Sequence, residues 1–231
     1  EAVQLQRALA HRVRLEALPA PPTRIAGVDC AFADRGRRIV AVAVLWLAAR
    51  AAPAAPGGKT GAGEILAVRE RVEPVRFPYV PGLLSFRELP AIAAALEALP
   101  ERPDVVLCDG QGLAHPRRFG LACHLGVFCD LPAVGCAKTR LQGEAPAPAP
   151  ARGARTAIVD PASGERLGTL LRTRTGVRPL WVSAGHRVTL ADAEAVVLAA
   201  ARRYRLPEPV HAADRISRAT ARRMDREGTR S

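Results

Sequence analysis

Residues 105–112 read VVLCDGQG, an apolar run that ends in an aspartate and two closely spaced glycines. Four consecutive apolar residues are typical of a short strand that is buried on both faces. A helix is predicted next, over residues 119–128, and then another strand over residues 133–137. Because strands and helices alternate here, the sequence predicts an α/β fold with parallel strand pairing and helices over the faces of the sheet.

The chain upstream of this unit is predicted to add antiparallel strands to the sheet. Residues 25–29, 37–47 and 64–72 are rich in β-branched and apolar side chains. Turn-like segments at residues 33–36 and 51–63 join them. We therefore expect three adjacent antiparallel strands at the start of the fold.

The chain downstream is predicted to form a hairpin and one further short strand. Residues 156–159 and 166–171 are expected to pair around a turn that contains Pro161, and residues 180–182 to add a strand. Alanine and proline alternate over residues 145–151, which predicts a stiff, solvated loop.

Further helices are predicted from apolar spacing. The opening helix is expected to end before Pro19, and a second helix covers residues 92–99. A third begins at Thr189, with Asp192 completing its cap, and its apolar face is predicted to reach Tyr204. The residues that share the apolar face of the opening helix are Ala2, Leu5, Leu9 and Val13.

A last helix is predicted to start near Pro209 and to carry a row of arginines. This row is as consistent with a solvated helix face as with nucleic-acid contact. The whole chain, residues 1–231, is expected to form a single domain whose flexible basic tail begins at about residue 218. The arginines of the row are Arg215, Arg218, Arg222 and Arg226.

The composition is that of a globular protein with a basic surface. Hydrophobic residues make up 48% of the 231 residues and charged residues 24%, and the formal net charge is +12. Such a charge favours nucleic acid as a partner, although an Ala-, Arg- and Pro-rich proteome makes many ordinary proteins basic. The longest apolar run, residues 39–49, falls short of the roughly 20 residues needed to span a bilayer. With no secretion signal and no CxxC pair among five cysteines, we expect a cytoplasmic protein with buried thiols and no membrane partner.

Three common catalytic motifs are excluded. Gly58-Lys59-Thr60 resembles the end of a phosphate-binding loop, but Pro53 stands where the first glycine belongs. No serine lies in a GxSxG context, and no histidine or cysteine cluster has zinc spacing.

Two carboxylates stand at the ends of predicted strands. Asp29 closes the run IAGV, and Asp109 closes VVLC and is followed by Gly110 and Gly112. Acids at neighbouring strand ends, with glycines that open the backbone beside them, suit a divalent metal site that a phosphate approaches closely. Either acid alone is more often a turn former or a helix cap.

Two other acids have structural alternatives. Ser85 and Glu88 form an S-x-x-E capping box, but Pro90 weakens that interpretation because proline prefers the first helical position. Asp214 is spaced to pair with Arg218 one helical turn on.

Taken together, these segments resemble the endonuclease V family over nearly the whole chain, roughly residues 6–217. The most specific blocks are PYVPGLLSFRE at residues 78–88 and DGQG with HPR at residues 109–117. IAGVD at residues 25–29, CAK at 136–138, VSAGH at 182–186 and RLPEP at 205–209, which leads to Asp214, follow the same order. The loop segments at residues 51–63 and 145–151 look elaborated relative to the family pattern.

The resemblance implies a ribonuclease H-like fold, with a mixed central sheet and helices on both faces. It also implies Mg²⁺-dependent cleavage of DNA that contains deoxyinosine or another deaminated base, with Mn²⁺ as a substitute for Mg²⁺. The expected cut is the second phosphodiester bond on the 3′ side of the lesion, which leaves 3′-hydroxyl and 5′-phosphate ends.

The resemblance also assigns site residues by motif position. The catalytic residues would be Asp29, Glu88, Asp109, Lys138 and Asp214, and the four acids among them would hold the metal. Lys138 is one of only two lysines in the chain, and a compact charge at this position fits a catalytic role. The wedge that fills the gap left by the damaged base would be Pro78, Tyr79, Val80 and Pro81. The lesion pocket would be formed by Gly82, Leu84, Gly110, Gly112, His115 and Leu141.

Two other functions fit the sequence less well. An endoribonuclease specific for inosine would use the same fold and site. A non-catalytic nucleic-acid-binding module would lack acids or the lysine, and this chain has them all. A monomer is expected.

Overall fold

The computed structural model describes residues 1–48 and 63–228, so Lys59 and nearly all of the turn predicted at residues 51–63 lie outside the described residues. The strands are β1 (Arg24–Ala33), β2 (Arg38–Leu47), β3 (Glu64–Pro74), β4 (Val105–Cys108), β5 (Ala133–Ala137), β6 (Arg155–Val159), β7 (Arg166–Leu171) and β8 (Leu180–His186). The helices are α1 (Ala2–Ala10), α2 (Leu84–Glu97), α3 (Leu121–Cys129), α4 (Leu190–Ala200) and α5 (Glu208–Gly228).

All eight strands belong to one mixed sheet, in the order β3-β2-β1-β4-β5-β8-β7-β6. Strands β1, β2 and β3 pair in the antiparallel sense, as predicted. Strands β1, β4 and β5 are parallel, which confirms the alternation inferred from residues 105–137. The second half returns to antiparallel pairing through β8, β7 and β6. The parallel centre brings the carboxyl ends of β4 and β5 to one edge of the sheet.

Helices cover both faces of the sheet, and strand β2 shows how the sequence encodes this. Its residues are buried almost without interruption. Ile39, Ala41 and Ala43 pack with α2 and α3 on one face, while Val40 and Val42 pack with α5 on the other. Helix α4 joins α5 on that second face, against β8 and the central strands. A strand buried on both sides must read as a continuous apolar run rather than an alternating one.

Several predicted boundaries were wrong. Helix α2 begins at Leu84, eight residues before the predicted start, and Pro90 lies inside it. Proline removes one intrahelical hydrogen bond, but Pro90 is exposed and the apolar face of α2 is otherwise well packed. Helix α4 ends at Ala200, so Tyr204 lies beyond it, and α1 ends at Ala10 before Val13. Strand β8 extends to His186, because its second half is buried against β5.

The segment at residues 145–151 is anchored rather than simply solvated, which corrects the prediction. The guanidinium of Arg172 donates hydrogen bonds to the carbonyl oxygens of Pro148 (2.7 Å) and Ala149 (2.8 Å). The Thr156 hydroxyl donates to the carbonyl of Pro146 at 2.6 Å, and Pro148 is buried. Proline-rich backbone has carbonyl acceptors but few donors, and here the rest of the protein supplies the donors.

Helix α5 continues through Gly228, so the part of residues 218–228 predicted as a flexible tail is helical. The helix lies close to β1 because Gly27 has no side chain where the backbone of Pro209 passes. All five cysteines are free thiols, but only Cys108, Cys123 and Cys136 are buried as expected, while Cys30 and Cys129 are partly exposed. No helix in the described ranges is both long and apolar enough to cross a membrane.

Candidate active site

Three of the four predicted metal ligands meet at the centre of the sheet. Carboxylate oxygens of Asp29, Asp109 and Asp214 all lie within 4.8 Å of one another. Asp109 directly follows β4, as predicted, whereas Asp29 lies inside β1 and not at its end. The last parallel pair, Val28 with Cys108, sets Asp29 and Asp109 side by side. Helix α5 contributes Asp214 as it crosses β1.

Lys138 partly neutralises this cluster. It directly follows β5, and its Nζ donates a hydrogen bond to Oδ1 of Asp214 at 2.6 Å and forms an ion pair with Asp109. Arg218 also contacts Oδ1 of Asp214, at 2.9 Å. Burial works against it, but the hydrogen bond and charge of Lys138 keep the pKa of Asp214 below its ordinary value. Asp214 therefore forms the ion pair with Arg218 that the spacing indicated, and it also belongs to the carboxylate cluster.

Asp29 and Asp109 are crowded carboxylates whose ionised forms are disfavoured. Burial, together with the charge of Asp109, raises the pKa of Asp29 to about 8. Burial also raises the pKa of Asp109, against the opposing effect of Lys138. Two crowded carboxylates that resist ionisation together are stabilised when a cation binds between them.

Glu88 is close to the cluster but does not belong to it. Its side chain is buried in α2, and burial followed by the charge of Asp109 raises the pKa of Glu88 to about 8. The capping box is not formed either, because Leu83 precedes the helix and the Ser85 hydroxyl contacts Nδ1 of His124 at 3.0 Å. Glu88 is therefore a buried acid near Asp109, outside the group of three aspartates.

A cavity of about 510 Å³ opens beside the carboxylates. Its wall includes Asp29, Asp109 and Lys138 at one end. Five of the six predicted pocket residues also line it: Gly82, Leu84, Gly110, His115 and Leu141. Gly112 does not. It lies behind the wall, where its N–H donates to the Ser183 hydroxyl at 2.9 Å and a side chain would collide with the Ala184 carbonyl.

The predicted wedge stands at the rim of this cavity. Pro78, Tyr79, Val80 and Pro81 are all exposed, and the last three of them line the cavity. Tyr79 is 68% exposed, which excludes a role as a core tyrosine. An aromatic ring held between two prolines at a cavity mouth is placed to stack on a base.

Three donors converge on the carbonyl oxygen of Gly82, where the wedge segment joins α2. They are Nε2 of Gln6 (3.2 Å), Nη2 of Arg117 (2.6 Å) and a ring nitrogen of His115 (3.1 Å). Gln6 is fully buried and also contacts Arg117 and the Phe119 carbonyl. The sequence analysis missed Gln6. Its position on the apolar face of α1, beside Leu5 and Leu9, was the available signal.

Arg205 was also missed as a support for Lys138. Its guanidinium donates to the backbone carbonyls of Lys138 (2.8 Å) and Pro179 (2.9 Å). This side chain therefore fixes the backbone of the segment that carries the lysine. The RLPEP block at residues 205–209 draws attention to Arg205 in the sequence, but it does not predict the contact with Lys138.

Comparison with known proteins identifies the family. The model of the family described as Endonuclease V matches residues 7–215. The chain belongs to the endonuclease V family. An endonuclease V from Geotalea uraniireducens is 47% identical over 219 residues, which cover 95% of this chain and 87% of the relative. One from Thermus thermophilus is 48% identical over 214 residues, covering 92% of this chain and 89% of that protein. This chain is accordingly a nuclease, that is, an enzyme that hydrolyses phosphodiester bonds.

Solved structures of the family share its fold. The endonuclease V of Streptomyces avermitilis superposes with a TM-score of 0.85 at 41% identity, covering 96% of this chain and 92% of that one. The catalytic domain of human endonuclease V gives a TM-score of 0.83 at 32% identity, covering 96% and 95%. A Ciona intestinalis endonuclease V, 22% identical with a TM-score of 0.80 and coverage of 96% and 97%, was crystallised with DNA containing an inosine. The ribonuclease H-like fold expected from the sequence is confirmed.

Proposed function

We propose that this endonuclease V recognises deoxyinosine in DNA and hydrolyses the second phosphodiester bond on the 3′ side of the lesion, with Mg²⁺ as cofactor. The products would carry 3′-hydroxyl and 5′-phosphate ends. The observation that carries the proposal is one cavity whose wall joins an exposed aromatic wedge to a cluster of three aspartates. The inosine-containing DNA bound to the Ciona relative supports this choice of substrate.

The donor set of the cluster fits Mg²⁺. Asp29, Asp109 and Asp214 offer hard carboxylate oxygens, and burial with the charge of Asp109 raises the pKa of Asp29, so a bound cation would favour its ionised form. These three residues would hold the ion, with the buried Glu88 close to Asp109, and Mn²⁺ would bind the same ligands. A bound ion supplies a water of lowered pKa and stabilises charge on the phosphate and on the leaving 3′ oxygen.

Lys138 would act as a compact positive charge beside the phosphate. Its Nζ already lies between Asp109 and Asp214, and Arg205 fixes its backbone. A lysine suits this position because its ammonium is a point charge that can turn from a carboxylate to a phosphate oxygen.

Recognition of the lesion would combine the wedge with backbone polar groups. Hypoxanthine presents an N1–H donor and an O6 acceptor where adenine presents an N1 acceptor and an amino group. Leu84 and Gly110 line the cavity, and backbone polar groups of this wall would distinguish these patterns. Tyr79 would occupy the space that the flipped base leaves in the stack.

The test is a matched set of substrates incubated with Mg²⁺: a duplex with one deoxyinosine, the same duplex undamaged, and an RNA with inosine at the same position. We expect cutting of the deoxyinosine duplex at the second 3′ bond, with little cutting of the undamaged duplex. Preferential cutting of the RNA would establish the endoribonuclease alternative. Binding of every substrate without cutting would establish a non-catalytic module and contradict the proposal.

A further inference from the structure

Helix α5 carries a row of exposed arginines that begins at the candidate active site. The spacing of three, four and four residues places them within an arc of about 80° on the helix surface. The opposite side of the helix, with Ala213 and Ala221, packs on β1 and β2. The exposed residues of the row are Arg215, Arg218, Arg222 and Arg226.

Most of this row has no acidic partner. Arg218 contacts Asp214, but Arg215, Arg222 and Arg226 form no ion pair with any residue that the structure describes. Some arginines elsewhere in the fold do have acidic partners. Arg118, for example, contacts both Asp160 and Glu165. A row of unpaired guanidinium groups on a rigid helix attracts an anion with several negative charges.

The row is continuous with the reaction cavity. Arg218 lines that cavity together with Asp29 and Lys138. Farther along the helix, a second concavity of about 470 Å³ is lined by Arg222, Arg223 and Arg226 together with Ala219 and one acid, Glu227. From Arg218 to Arg226 the helix rises about 12 Å, at 1.5 Å per residue. This length matches about three to four base pairs of duplex DNA.

We propose that this arginine row binds the phosphate backbone of the duplex that flanks the segment held in the active site. Guanidinium groups bind phosphate oxygens without reading the bases, so the contact adds affinity whether or not a lesion is present. The inference rests on the proposed function, because it takes DNA as the polyanion. It extends the DNA-binding surface beyond the cavity and the wedge.

The experiment compares two double variants of the full chain that each remove two positive charges. Arg222→Ala with Arg226→Ala removes two members of the row. Arg12→Ala with Arg71→Ala is the matched control, because both residues are exposed and neither belongs to α5. Arg71 points away from α5: it shares a strand face with Arg69, which bonds the carbonyl of Ala98 at the end of α2.

Binding to an undamaged 30-base-pair duplex is measured from low salt to about 0.3 M salt. The row variant should make the negative slope of log K against log salt less steep by about two. It should also weaken binding at 0.15 M salt by roughly tenfold to thirtyfold. The control variant should change neither value appreciably. On deoxyinosine duplex, the row variant should raise KM while the single-turnover cutting rate at saturating enzyme stays unchanged.

Equal salt slopes for the row variant and the control would overturn the arginine-row proposal. So would wild-type protein that fails to bind undamaged duplex even at low salt. Cutting of deoxyinosine duplex by the wild type is scored separately, so failure of the row and failure of the proposed function give different results.

Discussion

The role proposed for Tyr79 is recognition of the lesion by a single side chain, separate from the metal chemistry. It is exposed at the rim of the cavity, and no residue of the carboxylate cluster depends on it for support. Tyr79→Ala should therefore weaken affinity for deoxyinosine DNA by one to two decades, since stacking of a base on an aromatic ring contributes about 1 to 3 kcal/mol. Titration with matched damaged and undamaged duplexes measures this.

Tyr79→Phe is the matched control for the wedge, because stacking needs the ring and not the hydroxyl. It should recover most of the lost affinity. Equal loss of affinity for damaged and undamaged DNA in Tyr79→Ala would show that the ring does not recognise the lesion.

Single residues also mark the limit of prediction from the sequence. Asp29, Asp109, Lys138 and Asp214 were placed by motif, and the fold brings them together. Gln6 and Arg205 support the site through backbone carbonyls, at Gly82 and at Lys138. Such contacts depend on which distant backbone segment lies next to the side chain in the fold, and the local sequence does not encode this. Glu88 lies outside the group of three aspartates and Gly112 outside the cavity wall, and the roles predicted for both stay predictions.

At the scale of elements, one side chain anchors the middle of the segment at residues 145–151. Arg172 donates to the carbonyls of Pro148, Ala149 and Val177. Arg172→Lys cannot satisfy three acceptors in this geometry, so it should lower the free energy of unfolding by about 1 to 3 kcal/mol. Denaturant unfolding measures the change. Arg174→Lys is the control, since Arg174 is exposed and makes a single hydrogen bond, to the Arg203 carbonyl; an equal effect of both variants would contradict the anchoring role.

Helices α2 and α3 are joined by a buried histidine. His124 contacts the Ser85 hydroxyl, and burial lowers the pKa of His124 from 6.5 to about 4. Above pH 6.5 the ring is neutral in both folded and unfolded chains. As the pH falls from 6.5 to 4, only the unfolded chain gains the proton, so the protein loses up to about 3 kcal/mol of stability.

His124→Gln should therefore reduce the dependence of unfolding free energy on pH between 4 and 6.5, whatever its effect at neutral pH. Denaturant unfolding at several pH values gives the slope. His11→Gln, at an exposed position, is the control. A slope in His124→Gln equal to that of the wild type would show that His124 is protonated in the folded protein.

The elements also explain where boundary predictions were wrong. The strands of the sheet were found because buried runs such as residues 105–108 carry a clear apolar signal. The start of α2 was not found, because Pro90 favours a helix start and the local sequence before it resembles a loop. Packing of Leu89 and Ile92 against the sheet overrides that local preference.

At the scale of the whole molecule, one sheet and two helix layers place the wedge, the cavity and the carboxylates on a single continuous surface. The parallel pairing of β1 with β4 sets Asp29 beside Asp109. Helix α5, which packs on one face of the sheet, adds Asp214. The order of strands and helices, and hence the fold class, was predictable from the sequence. The closeness of α5 to β1, which completes the cluster, required the three-dimensional contact at Gly27.

The most direct test of this account is single-turnover cutting of a deoxyinosine duplex, with Mg²⁺, by the wild type and by Asp109→Asn. The variant removes one charge from the cluster and leaves the wedge and the cavity in place. We predict that the wild type cuts the second bond 3′ to the lesion and that Asp109→Asn does not cut, although its affinity for the duplex stays within about tenfold. Substantial cutting by Asp109→Asn would contradict the assignment of the three aspartates as the catalytic metal site.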